Sequence, residues 1–133
     1  MLETDRKLTP TPKDMTTNEI AQKLVSYCRL GKFEDAQKAL FSNDAVSIEP
    51  EATPMAPKET KGLAAIIEKG RGFTSALETV HSMKVSDPVV SVSSFACTMS
   101  LDATMKGRGR TTITELCIYH VADGKIVCEQ FHP

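Results

Sequence analysis

From Thr79 onward the chain is almost entirely strand-forming sequence. The runs Thr79–Ser86, Pro88–Met105, Arg110–Val121 and Lys125–His132 are separated only by Asp87-Pro88, Lys106-Gly107-Arg108-Gly109 and Ala122-Asp123-Gly124. Breaks this short suit antiparallel connections. The second run exceeds the usual strand of about 5–6 residues, so a bulge or bend is expected inside it.

The preceding sequence is helical in pattern. Thr16-Thr17-Asn18-Glu19 forms a capping box, in which a Thr hydroxyl and a Glu three residues on satisfy each other's orphan amides. Ile20, Leu24, Val25 and Cys28 follow at helical spacing and Gly31 ends the run, which predicts a helix over 17–30. A second helix is expected over Phe33–Phe41, broken by Ser42-Asn43-Asp44, with a short alternating strand around Val46 and Ile48. Pro50, Pro54 and Pro57 make the stretch up to Lys61 a loop. Leu63, Ala64, Ile66 and Ile67 begin a third helix whose end Gly70 and Gly72 should loosen. Residues 1–15, with Pro10, Pro12 and no periodicity, are expected to be a flexible tail ahead of one domain over 16–133. Helices followed by a strand meander predict an α+β fold, with helices on one face of a curved antiparallel sheet.

Composition limits the function classes. With 133 residues, 41% hydrophobic and 25% charged, the chain can bury one sizeable core. Sixteen Lys plus Arg against seventeen Asp plus Glu leave no basic excess for nucleic acid or an anionic membrane. No apolar run approaches the roughly 18 residues of a membrane span. The charged start, Met-Leu-Glu-Thr-Asp-Arg-Lys, lacks a secretory apolar segment and points to a cytoplasmic protein. Cys28, Cys97, Cys117 and Cys128 have no paired short spacing, so they read as reduced core residues and not as a zinc site. Gly107-Arg108-Gly109-Arg110 lies between strands without a following helix, so it is a basic hairpin tip and no phosphate cradle.

Four stretches carry a family resemblance: Gly31-Lys32-Phe33-Glu34-Asp35-Ala36, Leu40-Phe41-Ser42-Asn43-Asp44-Ala45-Val46, Lys61-Gly62-Leu63-Ala64-Ala65-Ile66 and Val121-Ala122-Asp123-Gly124-Lys125-Ile126-Val127. In order and spacing the chain after residue 16 resembles the nuclear transport factor 2-like superfamily, in particular its SnoaL-like polyketide-cyclase branch. The resemblance implies a cone-shaped, cystatin-like fold: a curved mixed or antiparallel sheet wrapped around three N-terminal helices, with a pocket between them. It also implies a small hydrophobic, polyketide- or steroid-like ligand, no cofactor, and homodimerisation through the sheet. Cofactor-independent isomerases, cyclases and dehydratases occur in this superfamily beside non-catalytic binding and assembly modules, so the fold alone leaves activity open.

The residues narrow the chemistry. Glu49, followed by Pro50 and pointing opposite to Val46 and Ile48, stands where the resemblance places the ketosteroid isomerase base. A carboxylate in an apolar cone has its charged form disfavoured, which tunes it for proton abstraction. The isomerase donors are not matched: Leu24 falls at the tyrosine position, and Leu116 or Cys117 at that of the carboxylic acid. Tyr27 lies three residues beyond Leu24 and is a candidate binding residue.

A second cluster depends on the turn after Val121. A three-residue Ala122-Asp123-Gly124 loop, the favoured alternative, pairs Val121 with Lys125 and gathers Glu115, Tyr119, Glu129 and Phe131 on one face. A two-residue Asp123-Gly124 turn instead brings Glu115 beside His132. Glu115 is therefore a candidate catalytic residue, and Tyr119, Glu129, Phe131 and His132 are candidate binding residues. His81 shares a face with Met83 and Val85, so it should face an apolar surface and is a further catalytic candidate. His81, His120 and His132 lie on separate strands, which offers no metal-ligand spacing. The uncharged alternation Val89, Ser91, Ser93, Phe95, Cys97, Met99 suits either a core or a dimer face.

Overall fold

The computed structural model describes residues 15–133, so nearly all of the expected tail lies outside the described residues; Met15 packs against the core. Helix α1 spans Thr17–Arg29 behind the capping box, with Thr16 accepting from the Glu19 amide at 3.1 Å and its own amide donating to the Glu19 carboxylate at 2.9 Å. Ile20, Ala21, Leu24, Val25 and Cys28 form its buried face. Gly31 reverses the chain at φ 72°, a conformation that favours glycine, and α2 follows at Phe33–Leu40.

Strand β1, Phe41–Ile48, begins sooner than the sequence predicts. Phe41 turns extended directly at the end of α2, and the polar Ser42-Asn43-Asp44 segment appears as a register irregularity between Phe41 and Val46. The proline-rich loop ends in an unpredicted short strand, β2 (Glu59–Lys61), antiparallel to β1. Helix α3, Leu63–Ser75, runs through both Gly70 and Gly72. The glycines do not end it, because the backbone continues with helical bonds to Ala76, whose amide meets the Phe73 carbonyl at 3.0 Å.

The remaining strands are β3 (Leu77–Val85), β4 (Val89–Val90), β5 (Ser94–Met105), β6 (Gly109–Ala122) and β7 (Lys125–His132). The expected bend in the long second run is a break at Ser91–Ser93 between β4 and β5, where the Ser91 amide donates to the Ser94 carbonyl at 2.8 Å. The sheet is mixed, curved and unclosed, in the order β2-β1-β7-β6-β5-β3 with β4 on β5; β1 and β7 are its parallel neighbours. Its inner face supplies Phe95, Cys97, Cys117, Tyr119 and Ile126 to a core shared with the helices. Phe95 and Cys97 are thus core residues, while Val89 at the other end of that alternation is 77% exposed.

The last hairpin differs from expectation in an instructive way. Ala122 pairs with Lys125, so the turn has two residues, Asp123 at φ 51° and Gly124 at φ 73°, as a primed turn requires. Alone, that turn would invert the favoured face. Val127, however, is an extra residue between the Val121–Ile126 and His120–Cys128 pairs, a bulge that shifts the register by one more. The two one-residue shifts restore parity. Tyr119 pairs with Glu129 and Cys117 with Phe131, and the predicted face survives although its predicted turn does not. Leu116, not Glu115, is the partner of His132.

Candidate functional site

One row of register partners crosses the concave face of four strands: Thr60 on β2, Ser47 on β1, Glu129 on β7 and Tyr119 on β6, continuing to Phe95 on β5. Each faces the helices because strand residues alternate sides and Ala45, Ser47, Cys117, Tyr119 and Glu129 share the buried phase. Glu129 is only 4% exposed and Ser47 is fully buried. The Ser47 hydroxyl donates to Glu129 Oε2 at 2.7 Å.

The cation that completes this network comes from α3. Lys69 follows the fully buried Ile66 by three positions, on the same helix face, and its ammonium reaches the sheet. Lys69 Nζ donates to Ser47 Oγ at 2.6 Å and to Glu49 Oε2 at 3.0 Å, and it lies 5.6 Å from the Phe131 ring centroid. Ser47 therefore links the ammonium to the buried carboxyl: it accepts from Lys69 and donates to Glu129. The Lys69 and Glu49 side chains are 15% and 22% exposed, so the network reaches solvent at that edge.

Burial pushes the Glu129 carboxyl up to about 7, with the Glu49 and Glu115 charges adding to the rise and the Ser47 hydrogen bond and Lys69 opposing it. Glu115, half-buried and without an ion pair among the described residues, is also raised, first by burial and then by Glu49. Tyr119 stacks on Phe95 with centroids 4.9 Å apart, and burial followed by the Glu129 charge raises its phenol well above the usual range. Among the described residues the one sealed-in side-chain polar atom lacking a partner is the Thr60 hydroxyl, at the far end of the row.

The structure thus gathers Glu49, Glu115, Glu129 and Phe131 near Lys69, with Tyr119 beside Glu129 on the neighbouring strand. It does not bring the other candidates there. His81 is exposed and not turned to an apolar surface: β3 changes register between Val80 and Ser82, which swings the ring outward, where Nε2 lies 2.7 Å from Thr104 Oγ1. His132 is exposed on the last strand. Tyr27 lines a shallow cleft of about 350 Å³ on the outer side of α1, with Gln22, Lys23 and Leu30. A wider cleft of about 500 Å³ lies between α2 and α3, and it is lined by none of these residues. Among the described residues no group of three His, Cys, Asp or Glu is placed to hold a metal, and no helix is long and apolar enough to cross a membrane. Cys28, Cys97 and Cys117 are buried free thiols, and burial raises Cys28 to about 12 and Cys97 to about 11, which keeps them unreactive.

Lys69 and Ser47 are the members of this network that sequence reasoning missed. The available signal was a lone lysine on the Leu63–Ile66 face of α3, and a serine alternating in phase with Glu49.

The fold agrees with comparisons to known proteins. The SnoaL-like domain model matches residues 15–132. Among solved structures, a Mesorhizobium loti protein designated a candidate SnoaL-like polyketide cyclase is 32% identical, with a TM-score of 0.82 over 90% of this chain and 100% of that one. At 16% identity, a Mycobacterium tuberculosis protein in complex with estradiol-17β-hemisuccinate shares the fold with a TM-score of 0.69 over 90% of this chain and 95% of its own. TerC, co-crystallised with polyporic acid, does so at 13% identity with a TM-score of 0.69, over 92% and 91% of the two chains. No curated protein matches significantly. With a family model covering essentially the whole folded region, the chain belongs to the SnoaL-like family.

Proposed function

We propose that the concave face binds a small carbonyl-bearing organic molecule and moves a proton on it without a cofactor, as an isomerase, cyclase or dehydratase does. The observation that carries this reading is the buried Glu129, tied through Ser47 to Lys69 and paired across the sheet with Tyr119. A carboxyl that titrates near 7 holds its proton for part of the time at neutral pH and can donate it, together with the Tyr119 phenol, to a developing oxyanion.

The base is then better sought in Glu115 than in Glu49. Glu49 already accepts from the Lys69 ammonium at 3.0 Å, so its carboxylate is engaged within the protein and not free to face a ligand. Glu115 is raised and has no ion pair among the described residues, so it can take a proton from the carbon next to the ligand carbonyl. Glu49 acts through Lys69 as a positioning residue. That fold relatives were solved with estradiol-17β-hemisuccinate and with polyporic acid supports a small organic ligand in general, without locating it.

Hydrogen–deuterium exchange at the α-carbon of a panel of cyclic ketones, followed by NMR, tests the reading without knowledge of the natural substrate. The protein should accelerate exchange for at least one ketone. Glu115→Gln should lower that rate about 10²–10⁴-fold with the fold intact. Undiminished exchange in Glu115→Gln removes it as the base, and no acceleration with any ketone favours the alternative, a non-catalytic binding or assembly module.

We also propose that the convex face pairs two copies. Ile48, Gln130, Ile118 and Ala96 form an uncharged row of register partners across β1, β7, β6 and β5, and Leu116 beside them is 40% exposed. Gel filtration should show a dimer, and Ile118→Glu should shift it to the monomer position. A wild-type protein that elutes as a monomer at micromolar concentration excludes the pairing.

A further inference from the structure

We infer that the concave site selects its ligand by charge, accepting an uncharged carbonyl compound and turning away the corresponding carboxylate. The inference rests on the reading of the concave face as a ligand site, and it adds the class of molecule that can enter.

Three carboxyl groups, Glu49 just beyond β1, Glu115 on β6 and Glu129 on β7, meet one ammonium, Lys69. The other groups facing Glu129 are Tyr119 and Cys117 from β6 and Cys28 from α1, with Cys128 beside it on its own strand; none of these is a cation. Lys69 is already committed, with donors directed to Ser47 and Glu49 and its charge close to the Phe131 ring. Once Lys69 and Glu49 cancel, Glu115 and Glu129 leave the site negative when ionised. An arriving carboxylate would meet that charge in a poorly screened setting, with no free cation among the described residues to pair with. An uncharged carbonyl instead offers an acceptor to the Tyr119 phenol.

Two further observations point to an occupant. Tyr119 is 3% exposed, and its hydroxyl has no protein partner among the described residues, yet it is not sealed in. At the other end of the row, Thr60 is 8% exposed and its hydroxyl is sealed in without a partner. Buried polar groups are normally satisfied, so a row unpaired at both ends, with only its Tyr119 end not sealed in, is arranged for a molecule that completes it at Tyr119.

The test uses acetophenone and benzoate, which share a ring and differ in charge, at matched millimolar concentrations and pH 8. Amide signals of the full chain are followed by two-dimensional NMR. Acetophenone should shift the signals of Ser47, Tyr119 and Glu129, and benzoate should bind the same residues at least ~10-fold more weakly. In Glu115→Gln/Glu129→Gln the discrimination should collapse, with benzoate now shifting those signals. Benzoate perturbing the wild-type residues as strongly as acetophenone would overturn charge selection and leave the ligand site standing. If neither probe shifts the row, the ligand site and this inference both fall.

Discussion

Glu129→Gln should make the protein more stable than wild type at pH 8 and leave it nearly unchanged at pH 4. Burial raises the Glu129 carboxyl from 4.5 in the unfolded chain to about 7 in the fold. Below 4.5 both states hold the proton and the group contributes no pH dependence. Between 4.5 and about 7 the folded state binds the proton that the unfolded state has lost, so stability declines as pH rises. Above 7 the full penalty, on the order of 3 kcal/mol, is present. Gln keeps an acceptor for the Ser47 hydroxyl and carries no charge, so the variant escapes that penalty. Its melting temperature should exceed that of wild type by on the order of 10 °C at pH 8, with the difference vanishing toward pH 4. A neutral substitution that stabilises a buried position is the signature of a group retained for chemistry and not for folding. Thermal unfolding across this pH range provides the check; equal destabilisation at both values would contradict the account.

Removing the cation should act in the opposite direction. Lys69→Met leaves Glu49 and Glu129 without their shared partner, and breaking a largely buried pair from one side costs about 2–4 kcal/mol. The loss should be greatest at pH 8. It should shrink on acidification, because Glu129 takes up a proton and no longer needs compensation. Lys69 holds the Glu129 carboxyl down, so in Lys69→Met that group should titrate higher than in wild type. Combining Lys69→Met with Glu129→Gln should cost less than Lys69→Met alone, since one uncompensated charge is gone. Denaturant unfolding of the two single variants and the double variant measures this coupling. Strict additivity would mean that the Lys69–Ser47–Glu129 chain carries no energy as a unit.

These expectations depend on a site that the sequence revealed unevenly. The helices were legible because local signals agreed: a capping box, a buried face from Ile20 to Cys28, and Gly31 in a left-handed turn. The strand face bearing Glu115, Tyr119, Glu129 and Phe131 was also read correctly, but through a turn that does not form. The Val127 bulge compensates, and a bulge has no dependable mark in a run as uniform as Lys125–His132. His81 was misread for a related reason, since alternation from Met83 and Val85 fails across the β3 register shift. Lys69 was hidden because a lysine on a helix is ordinarily a solvated residue; only the approach of α3 to β1 makes it the hub of the site. Local structure follows from local sequence, whereas the pairing of Lys69 with Ser47, 22 positions away, is a property of the assembled fold.

On this reading the concave face holds a carboxyl that exchanges its proton near neutral pH. Carbon-13 NMR of the Glu129 side-chain carboxyl, followed from pH 4 to pH 9 and assigned through Glu129→Gln, tests this directly. The expected result is a titration centred near 7 that moves higher in Lys69→Met. A midpoint at the ordinary glutamate value, unmoved by loss of Lys69, would contradict it.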